Sequence, residues 1–158
     1  MTVSQIETNP SKAVSPDMVH RLLNASYAYM VGRIDPPSSL TSMTRDDVAQ
    51  KMEDEDFFVI RDGAQPIACL FGHPEGAAYE VGKLAVATTH RKQGLARALI
   101  EAAADDARAR EFTTLQLYAR VELVENHAIY LAMGFAQTHA FTHDGFAQPT
   151  ALVFERPL

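Results

Sequence analysis

Apolar residues recur along this chain with two periods, and the points where one yields to the other outline its elements. Residues 3–7 alternate weakly and predict a first strand. Ser15-Pro16-Asp17 has the form of a helix start, with Ser15 as N-cap and Pro16 at the first helical position. That helix is expected to run through Met18, Leu22, Leu23 and Tyr27, which share one face. Residues 32–42, with Pro36-Pro37-Ser38-Ser39, read as a loop. A second helix is expected after Thr44, with Asp46 and Asp47 in its first turn and its end near Glu53. Period two then takes over. Residues 57–60 and 67–71 predict strands joined by a hairpin at Asp62-Gly63, 72–76 a further turn, and 79–86 a third strand. Residues 94–110 carry the strongest helical signal: Leu95, Leu99, Ala103 and Ala107 on one face, Arg97, Glu101, Asp105 and Arg108 on the solvated one. Residues 114–118 alternate as a strand, and 125–133 read as a helix stopped by Gly134. A closing strand pair, 135–141 and 149–155, is joined through His143-Asp144-Gly145.

These elements, spread over 158 residues that are 47% hydrophobic and 22% charged, predict one mixed α/β domain over residues 1–158. Repeats, low-complexity tracts and linkers are lacking. No apolar run approaches the roughly 18 residues of a membrane helix. Residues 1–7 lack the basic-then-apolar order of a secretory signal, so a cytoplasmic location and no membrane partner are expected. A net charge of −6 and a pI near 5.4 argue against a nucleic-acid partner and mildly favour a cationic small molecule. The single cysteine, Cys69, lies in the apolar run Pro66-Ile67-Ala68-Cys69-Leu70-Phe71 and reads as a buried structural thiol. His20, His73, His90, His127, His139 and His143 show no ligand spacing on one predicted element, and no metal is expected.

The chemistry concentrates where the third strand meets the long helix. Lys83-Leu84-Ala85-Val86 is followed by Arg91-Lys92-Gln93-Gly94-Leu95-Ala96, an apolar strand, a basic turn, a glycine and a small residue opening a helix. That order offers free backbone N–H groups and the positive end of a helix dipole to an anion. A P-loop requires Gly-Lys-Ser/Thr, but Leu95 and Ala96 follow Gly94. A dinucleotide fingerprint requires three glycines, and Gly94 stands alone.

The spacing Arg91-x-x-Gly94-x-Ala96 resembles the pyrophosphate loop of the GNAT acetyltransferases, and Asn126-His127-Ala128-Ile129-Tyr130-Leu131-Ala132-Met133-Gly134-Phe135 resembles their second signature. The resemblance covers residues 79–135 by motif and the rest by order of elements. It implies a central mixed, mostly antiparallel twisted sheet of about six to seven strands flanked by helices. A splayed parallel pair, 79–86 and 114–118, would admit acetyl-CoA. It further implies that Arg91, Lys92, Gln93, Gly94, Leu95 and Ala96 cradle the diphosphate and that the backbone of Leu84, Ala85 and Val86 pairs with the pantetheine arm. Tyr130 would be the general acid for the departing thiolate, and Glu80 the base for the incoming amine. Two positions depart from the family pattern: Leu123 replaces an Asn at the start of the second signature, where Asn126 can serve instead, and Thr88 replaces a Pro.

The implied activity is direct acetyl transfer from acetyl-CoA to a primary amine of a small molecule or peptide, by a monomer or homodimer without a metal. A non-catalytic acyl-CoA-binding module of the same fold is the alternative, and an unrelated phosphate-binding protein a third reading. Tyr27, Asp35, Asp144 and Phe146 are candidates to line the acceptor side. Lys83 is expected to point away from the face that carries Glu80 and Leu84 if the strand is regular.

Overall fold

A computed structural model describes residues 3–10 and 14–158; Met1 and Thr2, which begin the stretch read for an export signal, lie outside them. Seven strands form one sheet in the order β1-β2-β3-β4-β5-β7-β6. They are β1 (Glu7–Thr8), β2 (Asp56–Asp62), β3 (Gln65–Glu75), β4 (Ala78–Val86), β5 (Thr114–Arg120), β6 (Ala136–Phe141) and β7 (Ala151–Pro157). Every neighbouring pair is antiparallel except β4 with β5. Four helices, α1 (Pro16–Tyr27), α2 (Arg45–Asp54), α3 (Leu95–Ala109) and α4 (Val124–Ala132), flank it. Among the described residues, no helix is long and apolar enough to cross a membrane.

The sheet separates two cores, and the unbroken apolar runs of its central strands follow from that. Phe57, Val59, Cys69 and Phe71 pack on the α1–α2 side with Val19, Leu22, Leu23 and Val48. Phe58, Ile60, Leu70 and Leu115 pack on the α3 side with Leu99, Ile100, Ala103 and Ala107. Cys69 is fully buried, and burial pushes its thiol up to about 12, which suits a structural residue.

Local chemistry starts and stops the helices. Thr44 and Asp47 close a reciprocal capping box on α2, with N···O distances of 3.1 and 2.8 Å. Gly134, at φ +89°, ends α4: its N–H donates to the Leu131 carbonyl and that of Phe135 to the Tyr130 carbonyl, both at 3.1 Å. Pro16 opens α1 as expected, yet Ser15 makes no side-chain capping bond. The buried stripe of α1 is Val19, Leu22, Leu23 and Ser26 rather than one beginning at Met18, because packing on the sheet sets the helix rotation. On α3, Glu101 is not merely solvated; Arg156 donates to it at 2.7 and 3.2 Å.

The largest differences from the sequence reading fall at β1 and β3, while β7 runs two residues later than expected. The predicted first strand reduces to a bridge between Val3 and Asp62 and the two residues of β1. β3 runs on through Gly72 and Pro74 to Glu75, and the turn falls at Gly76, with φ +62°. Gly72 is a packing glycine. A Cβ there would meet the Tyr79 ring at 2.5 Å. Tyr79 is itself buried and donates to Asp56 at 2.6 Å. Burial acts to raise the Asp56 carboxyl, but hydrogen bonds from Tyr79, Arg110 and Asn9 outweigh it and hold it below the usual range. The ring therefore has little room to yield. Gly72→Ala is expected to lower stability by about 1–3 kcal/mol in urea denaturation through overpacking. Gly82→Ala, facing open space, should change it by less than about 0.5 kcal/mol.

Candidate active site at the parting of β4 and β5

β4 and β5 pair only over Ala78–Glu80 with Thr114–Gln116, after which the strands part while β4 stays paired with β3. In the same region β4 carries a bulge. Gly82 lies opposite Phe71 and Ala85 opposite Cys69, so Lys83 and Leu84 together oppose Leu70. Lys83 takes the left-handed φ of +51°. An inserted residue shifts the alternation of faces by one. Lys83 therefore joins Glu80 on the α1–α2 side, while Leu84 and Val86 turn to the α3 side. The regular-strand expectation for Lys83 is overturned for that reason.

On the α3 side a cleft of about 650 Å³ runs from the start of α3 to α4, bordered by Leu84, Val86, Arg91, Lys92, Gly94, Leu95 and Ala96. Gly94 is the N-cap of α3 at φ +77° and supplies no side-chain cap. Among the described residues, the amides of Leu95, Ala96 and Arg97 donate to no protein acceptor. A helix mouth with free amides, flanked by Arg91, Lys92 and Arg97, suits a phosphate-type anion. Arg91 reaches back to the carbonyls of Val86 at 3.4 Å and Ser26 at 3.5 Å, which keeps it beside the cleft floor. Two residues of the motif stand apart: Gln93 is exposed and does not border the cleft, and Ala85 faces the α1–α2 core. His90 is no free surface histidine; it borders the cleft and lies 3.6 Å from Asp62.

A second cavity of about 510 Å³ opens on the α1–α2 side, and Tyr27, Met30, Asn126 and Tyr130 border both spaces. The Tyr130 ring packs against Phe135 and Phe154 at 6.1 Å, while its hydroxyl has no hydrogen-bond partner among the described residues. Burial, then the neighbouring Tyr29, pushes its pKa up to about 12. Asn126 donates to the Tyr29 hydroxyl at 3.1 Å. Glu80 borders the second cavity at the last β4–β5 pair and accepts from Gln116 at 3.1 Å.

Residues 29–37 roof this cavity through long-range contacts. Arg33 grips Glu125 at 2.9 and 3.0 Å, the Asp35 amide donates to Glu122 at 2.9 Å, and Arg120 donates to the Pro36 and Pro37 carbonyls at 2.6 and 3.2 Å. Of the four acceptor-side candidates only Tyr27 borders the cavity; Asp35, Asp144 and Phe146 do not. At the 142–150 loop the cavity meets the stem residues Phe141 and His143, because His143 is bonded back to Thr150. Sequence reasoning did not pick out Lys83, Ser39, Glu55, His73 or Arg120, which also border it and come from five separate stretches of chain. His73, Glu75 and Glu80 bring their ligating atoms within 4.8 Å of one another across β3 and β4, a grouping invisible to spacing on one element.

The chain matches the model of the acetyltransferase (GNAT) family over residues 17–135, and it belongs to that family. Three solved structures share its fold. The PaiA N-acetyltransferase of Thermoplasma acidophilum, in complex with coenzyme A, is 12% identical with a TM-score of 0.77, covering 98% of this chain and 100% of that one. An acetyltransferase of Streptococcus agalactiae is 17% identical with a TM-score of 0.75, covering 99% and 98%. A GNAT family acetyltransferase of Elizabethkingia anophelis with acetyl-CoA bound is 15% identical with a TM-score of 0.69, covering 99% and 98%. No curated protein sequence matches the chain.

Lys83 is the electrostatic anomaly of this site. Burial first, then the like charges of Lys51 and Arg120, pull its pKa down to about 8. The native fold thus disfavours its proton. The resulting penalty on stability is complete below about pH 8 and disappears as pH rises toward the unfolded value near 10.4. Lys83→Met is therefore expected to raise Tm at pH 7, with the gain shrinking between pH 8 and pH 10 in thermal melts.

Proposed function

We propose that this chain, as a single domain over residues 1–158, is an acetyl-CoA-dependent N-acetyltransferase acting on a primary amine. The observation that carries the reading is the Tyr130 hydroxyl, without a hydrogen-bond partner among the described residues, at the junction of two spaces. One space ends at an open helix N-terminus, the other at a carboxylate.

The donor supplies an acetyl group activated as a thioester. The residues present fit it. Amides of Leu95, Ala96 and Arg97, with Arg91 and Lys92, receive the diphosphate, and Gly94 and Ala96 leave room for its approach. The backbone of Leu84, Ala85 and Val86 lies at the margin where β4 has left β5, and the polar groups of the pantetheine arm pair there as a strand would. At Val86 they compete with two long bonds, from its amide to Ser26 and from Arg91 to its carbonyl, both 3.4 Å. Asn126 lies alongside on α4.

Glu80, held by Gln116, takes the proton that an ammonium acceptor must lose, directly or through water. The freed amine attacks the thioester carbonyl, a C–N bond forms and the C–S bond breaks. Tyr130 gives its proton to the departing sulfur and is restored by the second proton that the nitrogen sheds in becoming a neutral amide. A pKa near 12 makes Tyr130 a weak acid in water. The same desolvation raises the basicity of a buried thiolate, as it does for Cys69 in this fold. Donor and acceptor of the proton therefore remain matched.

Two substitutions separate binding from chemistry. Ala96→Asp sets a carboxylate in the first turn of α3, where the dipole favours it by about 0.3–1 kcal/mol. It also repels the diphosphate. Coenzyme A affinity should fall at least tenfold by calorimetry while Tm holds or rises; unchanged affinity removes the helix mouth from the site. Tyr130→Phe should lower kcat by about 10²- to 10⁴-fold in a thiol-release assay and leave coenzyme A affinity near its original value. An unaltered kcat excludes Tyr130 as the acid, and coenzyme binding without thiol release from any amine points to a non-catalytic module.

A further inference from the structure

Of the charges bordering the 510 Å³ cavity, Lys83 and Arg120 form no ion pair among the described residues. Lys51 and Glu55 form an ion pair at 2.6 Å, and Arg120 is engaged by the Pro36 and Pro37 carbonyls. His73 lies 3.5 Å from Glu55 and 3.8 Å from Glu80. Lys83 has no carboxylate within ion-pair distance among the described residues. It donates to the Ser39 hydroxyl at 2.8 Å and lies over the Tyr27 ring at 5.9 Å. Glu80 accepts from the neutral Gln116 amide and lies 3.8 Å from His73. Arg120 is spent on backbone carbonyls, which leaves the Lys83 ammonium as the cation available to a ligand in this cavity and Glu80 as the anion.

The bulge brings the two onto one wall. They stand three positions apart on β4, so their Cα atoms are no more than about 10 Å apart. The Ser39 hydroxyl, which accepts from Lys83, keeps its own proton to donate, so ammonium and hydroxyl together form a carboxylate clamp. Beside it, a third cavity of about 310 Å³ shares Tyr27, Met30 and Ile34 with the first and is closed by Val31 and Leu40. That space suits an apolar group.

We infer that the acceptor is an amino acid with an apolar side chain: its carboxylate bound by Lys83 and Ser39, its amine directed to Glu80, and its side chain seated under residues 28–41. The inference rests on the acetyltransferase reading and narrows its substrate. It departs from the cationic acceptor that the net charge mildly favours, since net charge describes the whole surface while the cavity holds a lysine with no ion-pair partner among the described residues. Burial and the like charges around Lys83 agree, because a bound carboxylate would restore its ordinary ionisation.

The test pairs leucine, methionine and phenylalanine with their decarboxylated amines and their carboxamides, each assayed for thiol release from acetyl-CoA. The expected result is a kcat/KM at least tenfold higher for the amino acids, expressed mainly in KM. Lys83→Gln should bring the ratio of amino acid to amine toward one, and Lys83→Arg, which keeps the charge, should retain part of the preference. Calorimetry on the coenzyme A complex should show the same loss of amino-acid affinity in Lys83→Gln without turnover. Equal or better turnover of the amines, or a ratio untouched by Lys83→Gln, overturns this inference and leaves acetyl transfer standing. No thiol release from any of these compounds or from other primary amines, with coenzyme A bound, overturns the acetyltransferase reading and this inference with it.

Discussion

Three residue pairs hold β4 to β5, and the failure of that ladder beyond Glu80 is the constraint on which the rest of the site depends. Backbone amides and carbonyls at the middle of a sheet cannot be left unpaired without cost. A strand that departs from its neighbour must find other partners or leave space for a ligand that supplies them. Here β4 stays paired with β3 on both sides of its bulge, and β5 keeps its ladder with β7, so each wall of the opening is held from behind. The bulge at Lys83 and Leu84 lies in this region and decides which side chains face each space. Parting and bulge together turn a continuous sheet into a floor with two rooms.

The helices complete those rooms in different ways. α3 contributes its N-terminus, left open because Gly94 has no side chain with which to cap it. α4 contributes Tyr130 and Asn126 at the junction, and its Schellman cap orients Phe135 to pack against Tyr130. The roof formed by residues 29–37 is held by charge-assisted bonds from α4, β5 and the turn between them, with Ile34 as its buried apolar anchor. Bonds of that kind resist less than a core does when part of them is exposed, so the roof is the least anchored boundary of the site.

The two cores bear different loads. On the α3 side, alanines at positions 103, 104 and 107 let the helix lie close on the strands, which sets the height of its N-terminus above β4. On the other side, α1 packs on the sheet through Val19, Leu22 and Leu23, and the cavity opens beyond its last residue, Tyr27.

Much of this was legible in the residues alone. The periods assigned all four helices and the six strands after the first, and Arg91-x-x-Gly94-x-Ala96 with Tyr130-x-x-x-Gly134-Phe135 marked the family. These are local signals, set by capping, turn chemistry and spacing within one element, and local physics leaves them in the order of amino acids. The bounds of the first strand were not legible, because residues 3–8 hold to β2 through a short ladder and through Ser4 and Glu7 meeting Arg61, a partner more than fifty positions away. Nor was β3 beyond Phe71: Gly72 and Pro74 read as a turn until the Tyr79 ring explains why a glycine must stand in that strand. Lys83 shows the limit most sharply. Its identity is plain in the chain, but its face, its missing counter-ion and its meeting with Ser39 depend on a one-residue bulge and on a loop more than forty positions away. Pairing between distant segments decides such matters, and it is a property of the assembled sheet that no window of sequence contains.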